Sequence, residues 1–361
     1  MLDQKKLFEA LNNKKEFLFS NYMQEISLAC ETWNQIADEV TFDEINEAKN
    51  NDEMIPYWQE RLSNKKQLID DIDAYQVLAI DGSQIYPDRH EGMNFAVLNV
   101  GGVFFDYADK STVDFFSEPY VYDVQFRENH EISVDNIDAY RQELEYHKAL
   151  KMARHYCDKK PIVLFDGSLI FWQLMDKPRL KKHYFERYSL LLQELYKSKI
   201  LFASYVSLPK SRELVNIIHV ALNKQGVEHS LKRVVDADIM NQFLAPYQRS
   251  ILFKNQATIV EDYPDAIRPY FFYCNVGEEI ARIEIPQWIA QDIQLLELIE
   301  KIVINQCKKG GGYPVSLAEA HEVAVVRQSD RQLFLYMLRS LYPLFSSTIS
   351  KKLLSKKNVR A

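Results

Sequence analysis

The chain has 361 residues, of which 47% are hydrophobic and 26% are charged, as expected for a globular protein of one large domain with an addition, or of two domains. With only 10 glycines and 12 prolines, its composition argues against long flexible linkers. The formal net charge of −7 argues against a protein that coats DNA non-specifically, because such binding scales with the number of phosphates neutralised.

The cysteines and the apolar segments limit the class of protein further. Cys30, Cys157, Cys274 and Cys307 form no C-x-x-C pair, so the sequence does not favour a zinc knuckle or a thioredoxin-type redox site. No apolar stretch of about 18 residues occurs, so we expect no membrane span. No secretory pattern follows the first residue, and we expect a cytoplasmic protein with reduced thiols.

Hydrophobic spacing predicts helices first and strands afterwards. Over residues 1–70, apolar residues such as Leu7 and Leu11 recur at helical spacing among Lys and Glu, which predicts a helical arm or cap. Three β-type segments follow at 75–80, 95–100 and 102–107, and we expect a meander of three strands with Gly101-Gly102 between the last two.

The remaining elements alternate helix and strand. We predict helices at 136–157, 181–196 and 212–222, strands at 161–165 and 200–206, an antiparallel pair at 269–274 and 279–285, and helices from residue 286. This order favours an α/β fold with an RNase H-like core, a mixed sheet flanked by helices, and helical additions at both ends. The expected domains are the arm (1–70), the core domain (71–345) and a basic tail (346–361).

The tripeptide Asp-Gly-Ser occurs twice, at Asp81 and at Asp166, each time directly after an apolar strand-like run. Asp-Gly is a common turn dipeptide, so a single copy would indicate only a turn. Two copies in the same context indicate a site, because active sites in α/β sheets lie beyond the carboxyl ends of the strands.

Two carboxylates at strand ends suit a divalent metal. Mg²⁺ prefers oxygen ligands, Mn²⁺ also accepts an imidazole, and two such ions can activate water and stabilise the leaving oxygen of a phosphodiester. A third carboxylate should come from the helix before the second Asp-Gly-Ser. Glu145 and Glu143 are both candidates, and helical spacing favours Glu145 because it shares a face with Ala149. His321, in a helix rich in alanine, is the candidate imidazole.

The two Asp-Gly-Ser segments, the Glu-bearing helix between them and the segment 312–326 together resemble the NurA nucleases. Segments 280–286 and 235–238 also resemble parts of that family, and the resemblance extends over residues 77–331.

The resemblance implies a nuclease with a two-metal site of Mn²⁺ or Mg²⁺. It implies 5′-to-3′ exonuclease and single-strand endonuclease activity on DNA, in end processing and repair or in defence against phage. It also implies a homodimer that docks on a hexameric HerA-type ATPase. Under this resemblance Asp81, Asp166 and His321 are catalytic metal-site residues, and Glu145 takes the role of the helix carboxylate.

The DNA path is less apparent. Lys181, Lys182 and His183, the pair Lys308 and Lys309, and the ring of Tyr313 are candidate DNA contacts, whereas Phe171 is expected in the core. No G-x-x-x-x-G-K-[ST] motif is present, so ATP-driven movement of DNA must come from a partner.

Three other functions remain open from the residues. A serine hydrolase could use Ser83 or Ser168 with His321, although neither serine lies in G-x-S-x-G. A catalytically silent NurA-like subunit could bind and regulate a DNA-translocating motor. An RNase H-like ribonuclease is also compatible with the same residue types.

Overall fold

The structure, a computed structural model, describes residues 2–87, 95–108, 112–123 and 133–341. The predicted basic tail, 346–361, lies outside the described residues.

Eleven helices and ten strands are defined within these ranges. The helices are α1 (Gln4–Ile36), α2 (Phe42–Ala48), α3 (Val134–His155), α4 (Trp172–Met175), α5 (Pro178–Lys197), α6 (Glu213–Lys224), α7 (Asp236–Phe243), α8 (Gln287–Ala290), α9 (Ile293–Lys309), α10 (Val315–Ala324) and α11 (Gln328–Leu341). The strands are β1 (Lys66–Gln67), β2 (Gln76–Ile85), β3 (Phe95–Asp106), β4 (Thr112–Asp123), β5 (Ile162–Asp166), β6 (Phe202–Ser207), β7 (Gln248–Arg249), β8 (Phe253–Lys254), β9 (Pro269–Asn275) and β10 (Ile280–Pro286). None of the helices in the described ranges has the length and apolar character of a membrane span.

The chain divides into two compact units. The first unit consists of Met1–Asp71, Gly167–Ile170 and Ser204–Tyr313, and the second of Ile72–Asp166, Phe171–Ala203 and Pro314–Ala361. Each is described separately below, from the residues that the structure covers.

The second unit contains the predicted core. Its strand order is β4-β3-β2-β5, with β2, β3 and β4 antiparallel and β5 parallel to β2. Val163 N donates to Leu201 O (2.9 Å), so the segment that leads into β6 follows β5. This is the order of an RNase H-like core, and the predicted fold class is confirmed.

The strands of this unit form where the sequence favours them. Ile162–Phe165 of β5 is a continuous apolar run, and all four residues are buried, as expected for a parallel strand covered on both faces. β4 is the edge strand of the sheet and contains Pro119. Proline is tolerated at an edge because it has no N–H to donate to a neighbouring strand.

Two helices pack on this sheet and carry candidate residues. α3 begins at the N-cap Ser133, whose hydroxyl accepts from Asn136 N (3.2 Å), and it packs against β2 and α5. α10 packs against β2 and β3. The predicted helices at 136–157, 181–196 and 212–222 correspond to α3, α5 and α6, and the predicted antiparallel pair is β9 with β10.

One part of the predicted meander is wrong. The segments 95–100 and 102–107 are not two strands but the single strand β3, and the third strand is β4. Gly101 and Gly102 mark close approach rather than a turn. A Cβ on Gly101 would lie 2.5 Å from Ala324 N, and one on Gly102 would lie 2.6 Å from Ala79 O.

The context predicted for the first Asp-Gly-Ser is also wrong. Asp81 does not end a strand, because β2 continues to Ile85 and pairs with β3 through Ser83 and beyond. Only the parallel pairing with β5 stops before it, at Ile80 opposite Phe165. The second copy fits the prediction, since β5 ends at Asp166 and Gly167 follows with a φ of +89°.

The first unit has a separate sheet segment and core. Its strand order is β1-β7-β9-β10-β6, with residues 204–207 of β6 paired to β10 and β8 paired to β9. α1 and α2 pack through Trp33 and Ile45 into a cluster that includes Ile217 of α6, Met240 of α7 and Phe271 of β9. Buried residues between Ala29 and Leu62 thus contribute to this unit's core.

We predict that Gly101→Ala destabilises the protein by about 1–3 kcal/mol, because the added methyl group meets the backbone of α10, which cannot rotate away as a side chain could. Urea unfolding measures the change. An unfolding free energy equal to that of the wild type would contradict the close packing of α10 on β3.

Candidate active site

The carboxyl end of the parallel pair β2–β5 brings two predicted aspartates together. Ile80 is opposite Phe165, so Asp81 and Asp166 are the next residues on their two strands. Asp166 is exposed, and the side chain of Asp81 is 14% exposed. The two carboxylates therefore lie at one edge of the second unit.

One face of α3 covers this edge. Asp138, Arg141 and Glu145 are spaced by three and four residues and share that face. A Cβ on Gly82 would lie 2.4 Å from Glu145 Oε1, so glycine is required beside Asp81 for Glu145 to come this close to β2. Arg141 Nη1 donates to Gly82 O (2.7 Å) and lies 3.2 Å from Glu145 Oε1.

The surroundings of Glu145 strongly affect its carboxyl group. Burial raises the pKa of Glu145 to about 7; the charge of Arg141 opposes the rise, and those of Asp81, Asp166 and Asp138 add to it. Its Oε1 is buried and makes no hydrogen bond, although Arg141 is nearby as an ion-pair partner. Near neutral pH this carboxyl group exchanges a proton readily, and its negative form favours a nearby cation.

His321 reaches the cluster from α10. Its Nδ1 is 2.7 Å from Asp81 Oδ2, and the side chain is 57% exposed. With Asp81 as acceptor, we assign the proton to Nδ1, which leaves the lone pair of the neutral ring on Nε2. Asp81 Oδ1 accepts from Gly82 N (2.7 Å), so both carboxylate oxygens of Asp81 are oriented.

A small set of hydrogen bonds holds the end of α10 in place. Ser83 Oγ donates to Ala324 O (2.5 Å) and accepts from Val326 N (3.0 Å). Asn99 Nδ2 also donates to Ala324 O (2.8 Å), and Ser117 Oγ donates to Asn99 Oδ1 (2.8 Å). We call Ser83, Asn99 and Ser117 the α10 clamp. It fixes the helix that carries His321 over β2 and β3.

Glu143, the alternative helix carboxylate, has a different environment. It is buried and pairs with Arg187 of α5 at 3.1 Å. The structure therefore places Glu145, not Glu143, beside Gly82 and Asp81.

The predicted DNA contacts are spread over both units. In the second unit, Lys181 lies over the Phe185 ring, Lys182 is exposed, and Phe171 is buried as predicted. The first unit contains Lys308, which pairs with Asp70 at 2.8 Å, Lys309, which donates to Asn305, and Tyr313, whose ring meets that of Tyr205 edge-on.

The sequence analysis missed Asp138, Arg141 and the α10 clamp. The spacing of Asp138, Arg141 and Glu145 could have revealed the shared face of α3. No local pattern reveals the clamp, because Ser83 and Asn99 bond to a helix more than 200 residues away.

Comparison with known proteins places these residues in a family. A family model described as the NurA domain matches residues 75–326, which is most of the chain and includes the whole site. The chain belongs to the NurA family. No curated protein sequence matches it.

Several solved structures are similar to the chain. The crystal structure of the NurA nuclease from Sulfolobus solfataricus is similar to the chain, with a TM-score of 0.57 and 16% identity over 96% of this chain and 98% of that one. At this identity the likeness establishes the fold. A second NurA crystal structure gives a TM-score of 0.40 and 11% identity, over 94% of this chain and 99% of the other. The crystal structure of Endonuclease V from Bacillus subtilis gives a TM-score of 0.35 and 12% identity, over 78% of this chain and 87% of the other.

The two other segments that resemble the family, 235–238 and 280–286, both lie in the first unit. Asp236 accepts from Leu214 N and Val215 N (2.9 Å each) and from Tyr273 Oη (2.7 Å), which orders the starts of α6 and α7. In β10, the buried Arg282 bonds to Glu284 at 2.8 Å.

The two serines that follow the aspartates are not arranged as nucleophiles. The hydroxyl proton of Ser83 is donated to Ala324 O, and that of Ser168 to Glu284 Oε2 (2.8 Å). A serine hydrolase needs the hydroxyl to donate to a base such as His321, whose Nδ1 bonds to Asp81 instead. This arrangement argues against the serine hydrolase alternative.

The side chains gathered around Glu145 are of the types that bind divalent metal ions. Among the described residues, no three His, Cys, Asp or Glu side chains are positioned to hold a metal ion as they stand. The donor set nevertheless fits, because it combines hard carboxylate oxygens with one imidazole, and Glu145 Oε1 is a buried acceptor without a hydrogen-bond partner.

The raised pKa of Glu145 predicts a pH-dependent stability in metal-free buffer. The ordinary value is 4.5, and the folded value is about 7, so between them the folded protein holds a proton that the unfolded chain releases. The stabilisation is complete below pH 4.5 and is lost as the pH rises through about 7. Relative to Glu145→Gln, the wild type should lose about 2 kcal/mol of unfolding free energy between about pH 5 and pH 7.5.

Urea unfolding in a chelator at several pH values measures this difference. Asp135→Asn, a change to an exposed carboxylate on the same helix, is the control and should follow the wild type. Parallel curves for the wild type and Glu145→Gln would contradict the burial of this carboxyl group.

Proposed function

We propose that this NurA-family protein is a metal-dependent nuclease that hydrolyses phosphodiester bonds of DNA at the Asp81, Glu145, Asp166 and His321 site. The observation that carries the proposal is the position of Glu145. It lies against Gly82 with an unbonded, buried oxygen, among the charges of Asp81, Asp166 and Asp138. Burying a carboxylate among others is costly, and a bound cation offsets that cost.

In this proposal Asp81, Glu145, Asp166 and His321 are the residues that would hold divalent cations, with carboxylate oxygens and an imidazole nitrogen as ligands. The chemistry supplied by such cations is activation of water and neutralisation of charge on the scissile phosphate. Arg141 holds this face of α3 against β2 through its hydrogen bond to Gly82 O. Its positive charge also limits the repulsion between the carboxylates. The hydrogen bond from Nδ1 to Asp81 orients the His321 ring so that Nε2 can accept a ligand or a proton.

The finer activity follows the family resemblance. We propose Mn²⁺ or Mg²⁺ as the metal, 5′-to-3′ exonuclease and single-strand endonuclease activities, and a role in DNA end processing or defence against phage. We also propose a homodimer that works with a hexameric HerA-type ATPase. The absence of a P-loop motif in the sequence supports a separate motor, since this chain has no such site for ATP.

We predict that Asp81→Asn lowers the rate of DNA cleavage by more than about 100-fold, because even changes behind the metal ligands lose about 10–100-fold. The assay uses 5′-labelled and 3′-labelled DNA in Mn²⁺, Mg²⁺ or a chelator. The wild type should cleave only with metal, and the order of fragments from the two labels gives the polarity. Asp135→Asn should cleave like the wild type.

Four outcomes are informative when the assay also includes labelled RNA and a HerA-type ATPase with ATP. Full metal-dependent activity in Asp81→Asn would contradict the site assignment. Cleavage of RNA in preference to DNA would favour the ribonuclease alternative. A wild type that cleaves only when a HerA-type ATPase and ATP are added would support the partner, whereas no cleavage even then would indicate the catalytically silent subunit.

A further inference from the structure

A polar pocket opens beside the site in the second unit. It has a volume of about 320 Å³, within the range of ligand pockets, and is lined by Gln84, Tyr86, Arg327, Gln328 and Arg331 among other residues. The wall from β2 carries polar and aromatic groups, and the wall from the start of α11 carries two guanidinium groups. Among the described residues that line the pocket, none carries a carboxylate.

The pocket continues the two elements that carry the site. Gln84 follows Asp81 by three residues on β2, which is about 10 Å along a strand. Arg327 follows His321 by six residues, and the α10 clamp joins the two walls through the bonds of Ser83 to Ala324 and Val326. About 10 Å corresponds to about three stacked nucleotides of one DNA strand, and to fewer when the strand is extended.

Both walls are held in place. Leu335 of α11 is buried against Ile85 of β2, with Phe334 packed on the same cluster. On the other wall, Gln84 Nε2 donates to Tyr86 Oη (2.8 Å), and Tyr86 Oη donates to Asp138 Oδ1 (2.5 Å). The phenol ring is thus fixed by the same helix face that carries Glu145, and a fixed ring is a platform on which a base can stack.

The charges of the pocket favour an anion. Arg327 Nη2 pairs with Glu322 at 2.9 Å, but both side chains are about two-thirds exposed, with 65% and 63% of their surface accessible. Such an exposed pair contributes little and can be exchanged. Asp330, a second acidic residue at this helix start, accepts from Arg327 N (2.9 Å). A phosphate that meets Arg327 and Arg331 replaces a weak pair by stronger charge-assisted hydrogen bonds.

We propose that this pocket is a subsite for the DNA strand being cleaved, in which Arg327 and Arg331 bind backbone phosphates one to three nucleotides from the scissile bond and Tyr86 stacks on a base. This inference rests on the proposed nuclease function and extends it. It assigns binding of the DNA strand to residues of the second unit other than the proposed metal ligands.

Binding of a fluorescein-labelled single-stranded oligo-dT of about 15 nucleotides tests the subsite. The assay uses anisotropy in the full-length Asp81→Asn protein, with a chelator to prevent cleavage. Adding Arg327→Gln and Arg331→Gln should weaken binding roughly tenfold at about 0.1 M salt. It should also reduce the slope of log affinity against log salt by about 1.4, the value for two phosphates of a single strand.

The control removes the same charge elsewhere in the second unit. Lys151→Gln with Arg154→Gln changes two basic residues of α3, which are 70% and 49% exposed, and should alter affinity by less than about twofold. Glu322→Gln should act in the opposite direction and tighten binding roughly twofold to fivefold, because it releases Arg327. That variant keeps the inference testable if the double arginine variant fails to fold.

The outcomes separate the subsite from the function on which it rests. A pocket variant with the affinity and salt slope of the α3 control, or a Glu322→Gln variant that binds no tighter, overturns the subsite, while DNA binding by the Asp81→Asn protein and cleavage by the wild type stand. An Asp81→Asn protein that does not bind the oligonucleotide, together with a wild type that does not cleave DNA, overturns the proposed function and the subsite with it.

Discussion

The burial of one carboxyl group among others is the constraint on which the second unit depends. Glu145 is brought against β2, where burial first, and then the charges of Asp81, Asp166 and Asp138, raise its pKa to about 7. Arg141 offsets only part of this cost. Apolar side chains in place of these carboxylates would make the protein more stable. The cluster therefore lowers stability at a place where a bound cation can restore it.

The surrounding structure makes that burial possible. Gly82 leaves room for Glu145, and Gly101 leaves room for the backbone of α10. The α10 clamp then fixes the end of the helix that carries His321, whose imidazole orients Asp81. The same contacts extend to the start of α11, so one framework positions both the proposed metal ligands and the arginines of the proposed DNA subsite. Small residues at two points therefore determine how closely three elements meet.

Much of this could be predicted from sequence, where the information is local. Asp166 was placed correctly because an apolar run ends there, and helical spacing selected Glu145 over Glu143. Prediction from the sequence was wrong where a residue's role depends on a contact with a distant part of the chain. Gly101-Gly102 was interpreted as a turn because its partner, Ala324, belongs to a distant helix. Asp81 was assigned to a strand end because β2 loses only one of its two neighbours there. The contact between His321 and Asp81, which lie 240 residues apart, could be recognised only from the structure.

Direct measurement of metal binding tests the central claim, that the cluster around Glu145 is a divalent cation site. Calorimetric titration of the metal-free protein with Mn²⁺ at about pH 7.5 should show binding that is weakened at least tenfold in Asp166→Asn and in Glu145→Gln, as expected for loss of a ligand, and unchanged in Asp135→Asn. Absence of binding up to millimolar Mn²⁺, or equal affinity in all four proteins, would contradict the account.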